Sequence, residues 1–337
     1  MYSSIFDCYC LFSTFLILIN HYWLRVNALD NGLALTPPMG WLNWVRFGCQ
    51  VDCVHHPMTC ISEELFLEQA DRLVADGYWA AGYRRMAIDD CWMSMERDSH
   101  GRLTPNATRF PRGMKFLAKH MRRKGIKLGI YSDYGNKTCA GYPASLYHLK
   151  TDAETFAEWG LNSLKLDGCY VDVKKMDKGY PEMGRYLNET GRPILYSCSW
   201  ATYLWAAKMK PDYQKIAKYC NLWRNYADIE LSWKSIKSII DYYDHHQSEM
   251  IPAAGPGHWN DPDMIIVGNP QITEDQAQVQ MAIWSIWSAP LLMSNDLRFM
   301  PPSHKKILLN KKVIAIDQDP MGVMGSLIFN VTHGNRM

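Results

Sequence analysis

Ser163-Leu164-Lys165-Leu166-Asp167-Gly168-Cys169-Tyr170 alternates leucine with polar residues and then stops at Asp-Gly. The alternation reads as a short half-buried strand, and Asp-Gly as a carboxylate delivered at a sharp turn. Lys165 and Asp167 are two residues apart, so both side chains leave the same strand face. A cation beside the carboxylate favours its ionised form, which a nucleophile needs. A buried ion pair at a strand end fits the same residues, so the choice rests on what the rest of the chain repeats.

The unit recurs along the chain. Pro37-Pro38-Met39-Gly40-Trp41-Leu42-Asn43-Trp44 reads as a first strand running into a loop. Ser62 is placed to cap a helix with Glu63 and Glu64 in its first turn. Phe66, Ala70, Leu73, Val74 and Gly77 form its expected inner stripe. Met86 to Trp92 is an apolar strand ending in Asp89 and Asp90, followed by a helical stripe of Met114, Leu117, Ala118 and Met121. Lys127 to Asp133 is again an apolar strand with a polar end. Helices around Phe156, Met183 and Leu187, and Ile216 separate the strands at Lys165–Asp167, Pro193–Trp200 and Asn221–Asp228. Ser232 opens a helix with Ile236, Ile239, Ile240 and Tyr243 on one face. Gly255 to Met264 follows, then a capping box of Thr273 and Gln276 before a helix carrying Ile283, Trp284 and Trp287. Ala289 to Asp296 is the last strand, and a closing helix spans Ser303 to Leu309.

Eight strand–helix units with polar residues at the strand ends predict an α/β fold, a (β/α)8 TIM barrel whose chemistry sits at the C-terminal rim. A doubly wound open sheet would call for a nucleotide-binding glycine loop after its first strand, and none is present. There is no P-loop, nucleophile elbow or His-Glu-x-x-His either.

At 337 residues and 47% hydrophobic content the chain can bury a full core. With 36 basic against 34 acidic residues, its net charge of +2 argues against nucleic acid or an anionic membrane surface as partner. The run from Cys8 to Ile19, with small residues at Val26-Asn27-Ala28, predicts a secretory signal peptide over 1–28, although Asp7 stands where a basic residue is usual. The run is short for a membrane span, so stable membrane insertion is not expected. Removing Cys8 and Cys10 from the ten cysteines leaves Cys49, Cys53, Cys60, Cys91, Cys139, Cys169, Cys198 and Cys220, an even set suited to disulfides. Zinc at the Cys49, Cys53 and Cys60 cluster is the other reading, weakened by the lack of a Cys-x-x-Cys pair. Asn106, Asn136, Asn188 and Asn330 head glycosylation sequons, in keeping with the secretory route.

Asp89, Asp90, Asp133, Asp167, Asp228, Asp261, Asp263 and Asp296 are all expected near one rim. Divalent-metal chemistry would usually add histidines, and His258 is the lone candidate; a structural role beside Trp259 suits it better. Glycoside hydrolysis needs two acids across the scissile bond and polar groups for the sugar hydroxyls. Among 13 Trp and 19 Tyr, Trp44, Trp92, Trp200 and Trp259 are placed to wall a sugar pocket, though any one of them could be core.

Five motifs carry a family resemblance in order and spacing: Leu29-Asp30-Asn31-Gly32-Leu33 with Pro38-Met39-Gly40-Trp41, Ile88-Asp89-Asp90-Cys91-Trp92, Leu166-Asp167-Gly168-Cys169, Trp223-Arg224-Asn225, and Gly257-His258-Trp259-Asn260-Asp261-Pro262-Asp263-Met264. From Leu29 to Gly325 the chain resembles the animal α-galactosidase/α-N-acetylgalactosaminidase family, glycoside hydrolase family 27. The resemblance implies a retaining double displacement without cofactor or metal. Asp167 matches the nucleophile and Asp228 the general acid/base, with carboxyl groups roughly 5–5.5 Å apart. Asp228 should then hold a proton through a raised pKa, and Asp167 stay ionised beside Lys165. Asp89 and Asp90 match acceptors for the 4- and 6-hydroxyls. Lys165 and Arg224 match contacts on the other side of the ring, and Trp44 and Tyr131 pocket walls. The implied disulfides are Cys49–Cys91, Cys53–Cys60, Cys139–Cys169 and Cys198–Cys220, the third lying against the sugar. Partners are small glycan, glycolipid and glycoprotein substrates, with a homodimer as the family's precedent, and the location is lysosomal or secreted.

The family chooses its sugar after the fifth strand. Where this chain has Ser199 and Thr202, α-galactosidases of the animal type carry Glu and Leu, and α-N-acetylgalactosaminidases Ser and Ala. A long Glu would clash with a 2-acetamido group. Ser199 leaves room, and Thr202, larger than Ala but smaller than Leu, offers a methyl to the acetyl group. Tyr203 matches in both, and Leu222 and His258 resemble the N-acetylgalactosaminidase pattern. The expected activity is therefore release of terminal α-linked N-acetylgalactosamine, with an α-galactosidase and a non-catalytic sugar-binding protein as the alternatives. The expected organisation is a catalytic barrel over 29–322, with 323–337 a truncated start of the family's C-terminal antiparallel β-domain, which is largely missing. Exposed apolar surface would then lower stability.

Overall fold

The structure is a computed structural model that describes residues 31–329. The expected signal peptide and Asn330 lie outside the described residues. Eight parallel strands form one sheet: β1 (Met39–Leu42), β2 (Arg85–Ile88), β3 (Lys127–Asp133), β4 (Ser163–Asp167), β5 (Leu195–Cys198), β6 (Leu222–Arg224), β7 (Trp259–Asp261) and β8 (Leu291–Met293). Neighbours run β7-β6-β5-β4-β3-β2-β1-β8. The ring closes beyond β7. Ile265 bridges Met293 in parallel; its N–H donates to the Leu292 carbonyl at 2.8 Å, and its own carbonyl accepts the Ser294 N–H at 2.8 Å. The fold is a (β/α)8 TIM barrel.

Parallel strands need long crossovers, and the helices between them supply these with one apolar stripe each. Glu63–Ala75 starts where the Ser62 hydroxyl accepts the Leu65 N–H, and Phe66, Ala70 and Leu73 are fully buried. Val74 departs from the expected stripe: it is 39% exposed, because one residue past Leu73 the helix has turned by about 100°. Gly77 lies beyond the helix end. Met114, Leu117, Ala118 and Met121 all face inward from Gly113–Arg123. Glu274–Ile286 opens with the Thr273–Gln276 capping box. Two short helices, Trp200–Ala206 and Lys311–Asp317, escape the sequence reading because each is only seven residues long and lacks a full amphipathic repeat. Among the described residues no helix is long and apolar enough to cross a membrane.

Register sets the site. Tyr131 pairs with Lys165 and, two residues further toward the rim, Asp133 with Asp167, so β3 and β4 stack two pairs of functional side chains side by side. Below them Gly129 stands beside Ser163, where a Cβ would come within 2.1 Å of the serine Oγ. Trp92, Trp200 and Trp259 are core residues rather than pocket walls. Trp92 and Trp259 satisfy their indole N–H groups on the carbonyls of Tyr131 and Ala34, and Trp200 stacks on Tyr180 at 5.7 Å. Four disulfides join Cys49–Cys91, Cys53–Cys60, Cys139–Cys169 and Cys198–Cys220. Cys49, Cys53 and Cys60 therefore offer no free thiolate for zinc.

Candidate active site

A cavity of about 340 Å³ opens at the C-terminal ends of the strands. Asp167 and Asp228 line it, with Trp44, Asp89, Asp90, Tyr131, Cys139, Lys165, Cys169, Ser199, Thr202, Tyr203 and Arg224.

Asp167 ends β4. Its Oδ1 accepts the Gly168 N–H at 3.0 Å and its Oδ2 the Tyr131 hydroxyl at 3.1 Å, so the carboxylate is held at both oxygens. Lys165 does not pair directly with it. The ammonium donates to Asp89 Oδ2 at 2.7 Å, because the long side chain reaches across β3 to β2. Burial opposes the charge on Lys165, but the carboxylates of Asp89, Asp167 and Asp263 outweigh it and hold the amine protonated. Lys165 thus supplies positive potential to Asp167 through space while its hydrogen bond goes to Asp89.

Asp89 and Asp90 form the opposite floor. The Asp89 N–H donates to Asn43 Oδ1 at 2.8 Å, and Asp89 Oδ1 accepts the Asp90 N–H at 2.8 Å. Asp90 accepts the N–H groups of Cys91 at 2.6 Å and Ala140 at 3.0 Å. Burial raises the pKa of both carboxyls, that of Asp90 to about 6.

Asp228 lies on the loop after β6 with its side chain 74% exposed at the cavity mouth. Arg224 Nη2 sits 3.1 Å from Asp228 and 3.0 Å from Asp263, a buried guanidinium shared by two carboxylates. Here the structure corrects an expectation. Arg224 holds the Asp228 carboxyl below the ordinary carboxylate range. Burial, the first influence on Asp263, prevails there over Arg224 and raises that carboxyl to about 6.

The third wall comes from β5 and the helix Trp200–Ala206. The Ser199 N–H ties back to the Leu166 carbonyl at 3.0 Å. Thr202 donates its hydroxyl to the Tyr226 carbonyl at 2.7 Å, which leaves its methyl as the free face. The Tyr203 hydroxyl lies 3.1 Å from Cys169 Sγ, so the Cys139–Cys169 disulfide is wedged between wall and nucleophile.

Several contributors go beyond the residues given a catalytic or sugar-binding role from sequence. Asp133 holds the disulfide loop, accepting the N–H groups of Gly135 at 2.6 Å and Cys169 at 2.9 Å. Burial, with Asp167 next, pushes its carboxyl up to about 8. Trp205, Ala206 and Ala227 line the mouth, and Trp205 packs on Tyr226 at 4.5 Å between ring centres. Asp263 has a left-handed backbone, φ 79°, and accepts the Ile229 N–H at 2.8 Å. The Pro262-Asp263-Met264 turn was its sequence signal. Asp296 belongs elsewhere: it pairs with Arg298 at 2.7 Å and accepts from Gln69. His258 is structural, its ring Nδ1–H donating to the Ala253 carbonyl at 2.8 Å. Asn106, Asn136 and Asn188 lie away from the cavity lining, the latter two exposed.

The family model described as alpha galactosidase A matches residues 36–319. The chain belongs to glycoside hydrolase family 27. It is a glycoside hydrolase. The α-N-acetylgalactosaminidase of Gallus gallus is 54% identical over 89% of this chain and 74% of its own length. The α-galactosidase A of Homo sapiens is 52% identical over 92% of this chain and 72% of its own. The solved α-galactosidase I of Mortierella vinacea superposes with a TM-score of 0.81 at 33% identity, covering 90% of this chain and 78% of that one. Relatives of both specificities are thus nearly equidistant from this family 27 hydrolase, so overall identity does not choose its sugar.

Proposed function

We propose that this chain is a retaining exo-glycosidase that removes terminal α-linked N-acetylgalactosamine from glycolipids and glycoproteins. The observation that carries the proposal is one cavity in which Asp167 and Asp228 meet a third wall made of Ser199 and the methyl of Thr202. Asp167 attacks the anomeric carbon while Asp228 gives its proton to the glycosidic oxygen. The bond from that carbon to the leaving oxygen breaks, and a glycosyl ester forms on Asp167. Asp228, now a carboxylate, takes a proton from water, which attacks the same carbon and frees Asp167. Two inversions give net retention.

Tyr131 and the Gly168 N–H hold the nucleophile in line, and Asp89, Asp90, Lys165 and Arg224 are the hydrogen-bonding groups for the ring hydroxyls. Asp228 is charged in the free enzyme, so it must gain its proton at acidic pH or as the sugar displaces water from the mouth. The catalytic unit is the barrel over 29–322. The same reading places the enzyme in the lysosome or outside the cell and allows a homodimer.

Turnover of nitrophenyl α-N-acetylgalactosaminide and nitrophenyl α-galactoside at acidic pH tests the choice. A clear preference for the acetamido sugar is expected. A preference for galactose keeps the mechanism and overturns the role given to Ser199 and Thr202.

A further inference from the structure

The catalytic cavity has a floor and a mouth, and the two meet different halves of a substrate. Asp89 and Asp90 lie on the floor, while Asp228 stands at the mouth with its side chain 74% exposed. A general acid must come within hydrogen-bond reach of the oxygen it protonates. The leaving oxygen therefore sits beside Asp228, and the group attached to it points outward past the residues around that carboxylate. Trp205, Ala206 and Ala227 line this part of the cavity. The two alanines are small and exposed, so the broad surface on that side of the mouth is the half-buried Trp205 indole.

The indole is held in place. Its ring packs edge-on against Tyr226 at 4.5 Å between centres, and Tyr226 stacks on the buried Tyr242 at 4.3 Å. Thr202 lies three residues earlier on the same helix and hence on the same side of it. Its hydroxyl donates to the Tyr226 carbonyl at 2.7 Å. Arg224 donates to the carbonyls of Tyr226 and Ala227 at 3.2 and 3.0 Å and to Asp228 at 3.1 Å. Trp205 is thus tied, through one loop, to the guanidinium that holds the acid. A platform already fixed relative to the proton donor binds a ring without the cost of ordering itself first.

We infer that Trp205 is the binding platform for the leaving group, and that the group it takes is a pyranose. This role rests on the reading of Asp228 as the acid, and it holds whichever sugar fills the floor. A pyranose presents a face of C–H bonds that packs on an indole, and its hydroxyls stay in water at the open mouth. A serine or threonine side chain that carries the sugar on a peptide has too little apolar surface to cover the indole. Among the substrates proposed above, a terminal sugar joined to another sugar is therefore preferred to one joined directly to a peptide hydroxyl. Contact with the leaving group that persists into the transition state raises kcat/KM.

The test uses the whole chain and two substrate series, α-linked N-acetylgalactosamine and α-linked galactose. In each series the sugar is joined to a galactose, to a threonine peptide or to trifluoroethanol, whose hydroxyl is similar in acidity to a sugar's. Matched acidity leaves binding of the leaving group as the difference between disaccharide and trifluoroethyl glycoside. In the series that turns over faster, kcat/KM for the disaccharide should exceed that for the trifluoroethyl glycoside by about 10-fold, and Trp205→Ala should remove most of that ratio. Trp205→Phe, which keeps a ring, should retain much of it. A merely structural role would lower both substrates together and leave the ratio unchanged. A wild-type ratio near one, or a ratio that survives in Trp205→Ala, would overturn the role of Trp205 and leave the hydrolase reading intact. A threonine glycopeptide hydrolysed faster than the disaccharide would overturn the choice of a pyranose. No turnover in either series would overturn both the proposed function and this role. If Trp205→Ala does not fold, Trp205→Leu, which refills part of the space on Tyr226, is held to the same ratio.

Discussion

Arg224 controls how Asp228 meets its proton. The guanidinium beside Asp228 favours the charged carboxylate in the free enzyme. The kcat/KM profile reports the free enzyme and the kcat profile the occupied one. The basic limb of kcat/KM is therefore expected at lower pH than that of kcat, because a bound sugar strips water from Asp228 and favours its neutral form. Coincident limbs above the ordinary carboxylate range would show that Arg224 does not set this proton. The roles of the two acids separate by substitution. Asp167→Asn should cut turnover at least ~10³-fold with little change in melting temperature, since it removes the nucleophile and keeps the shape. Asp228→Asn should spare a dinitrophenyl glycoside, whose leaving group needs no proton, far more than a disaccharide. Equal losses on both substrates would take the acid role from Asp228. Ser199→Glu tests specificity: the longer side chain should lower kcat/KM for the acetamido sugar about 100-fold or more and leave the galactoside less affected. An unchanged ratio would detach Ser199 from the choice of sugar.

At the scale of elements, the loop from β3 to the end of β4 behaves as one piece. Gly135 meets the Cys169 carbonyl so closely that a Cβ there would lie 1.8 Å from its oxygen. Asp133 bonds both ends of the turn, and the disulfide Cys139–Cys169 closes a 30-residue separation directly after the nucleophile. Replacing both cysteines with serine should cost about 2–4 kcal/mol of stability. It should also lower kcat more than KM, because Gly168 and Tyr131 would no longer hold Asp167 in line. Full activity in the double variant would confine the disulfide to stability. Much of this architecture was legible in the sequence. Strand alternation, capping residues and acids at strand ends are local patterns, and they located β4, the Ser62 and Thr273 caps and the facing of Asp167 and Asp228 onto one rim. What stayed hidden depends on reach across the barrel. Lys165 and Asp167 share a strand face, yet Asp89 takes the ammonium. The sharing of Arg224 between Asp228 and Asp263 spans two strands, and only the folded ring shows it. Trp205 was missed for a related reason: its short helix has no repeat long enough to show which face meets the cavity.

The whole molecule carries an excess of buried carboxyls. Asp90 and Asp263 titrate near 6 and Asp133 near 8, against 3.8 for an ordinary aspartate. A carboxyl with a raised pKa binds its proton more tightly in the folded state. Its contribution is complete below the unfolded value and is lost as pH rises through the folded one. Between about pH 4 and 8 stability should thus increase as the solution becomes more acidic. The lowered pKa of Asp228 acts in the opposite sense only below that window. A melting temperature higher at pH 5 than at pH 7.5 is expected, and the reverse order would show that other groups dominate the proton balance. Double displacement through Asp167 fixes the configuration of the first product. Proton NMR of the anomeric signal, recorded early in hydrolysis of nitrophenyl α-N-acetylgalactosaminide, should show the α-anomer before mutarotation. A first-formed β-anomer would mean a single displacement by water, with no glycosyl ester on Asp167.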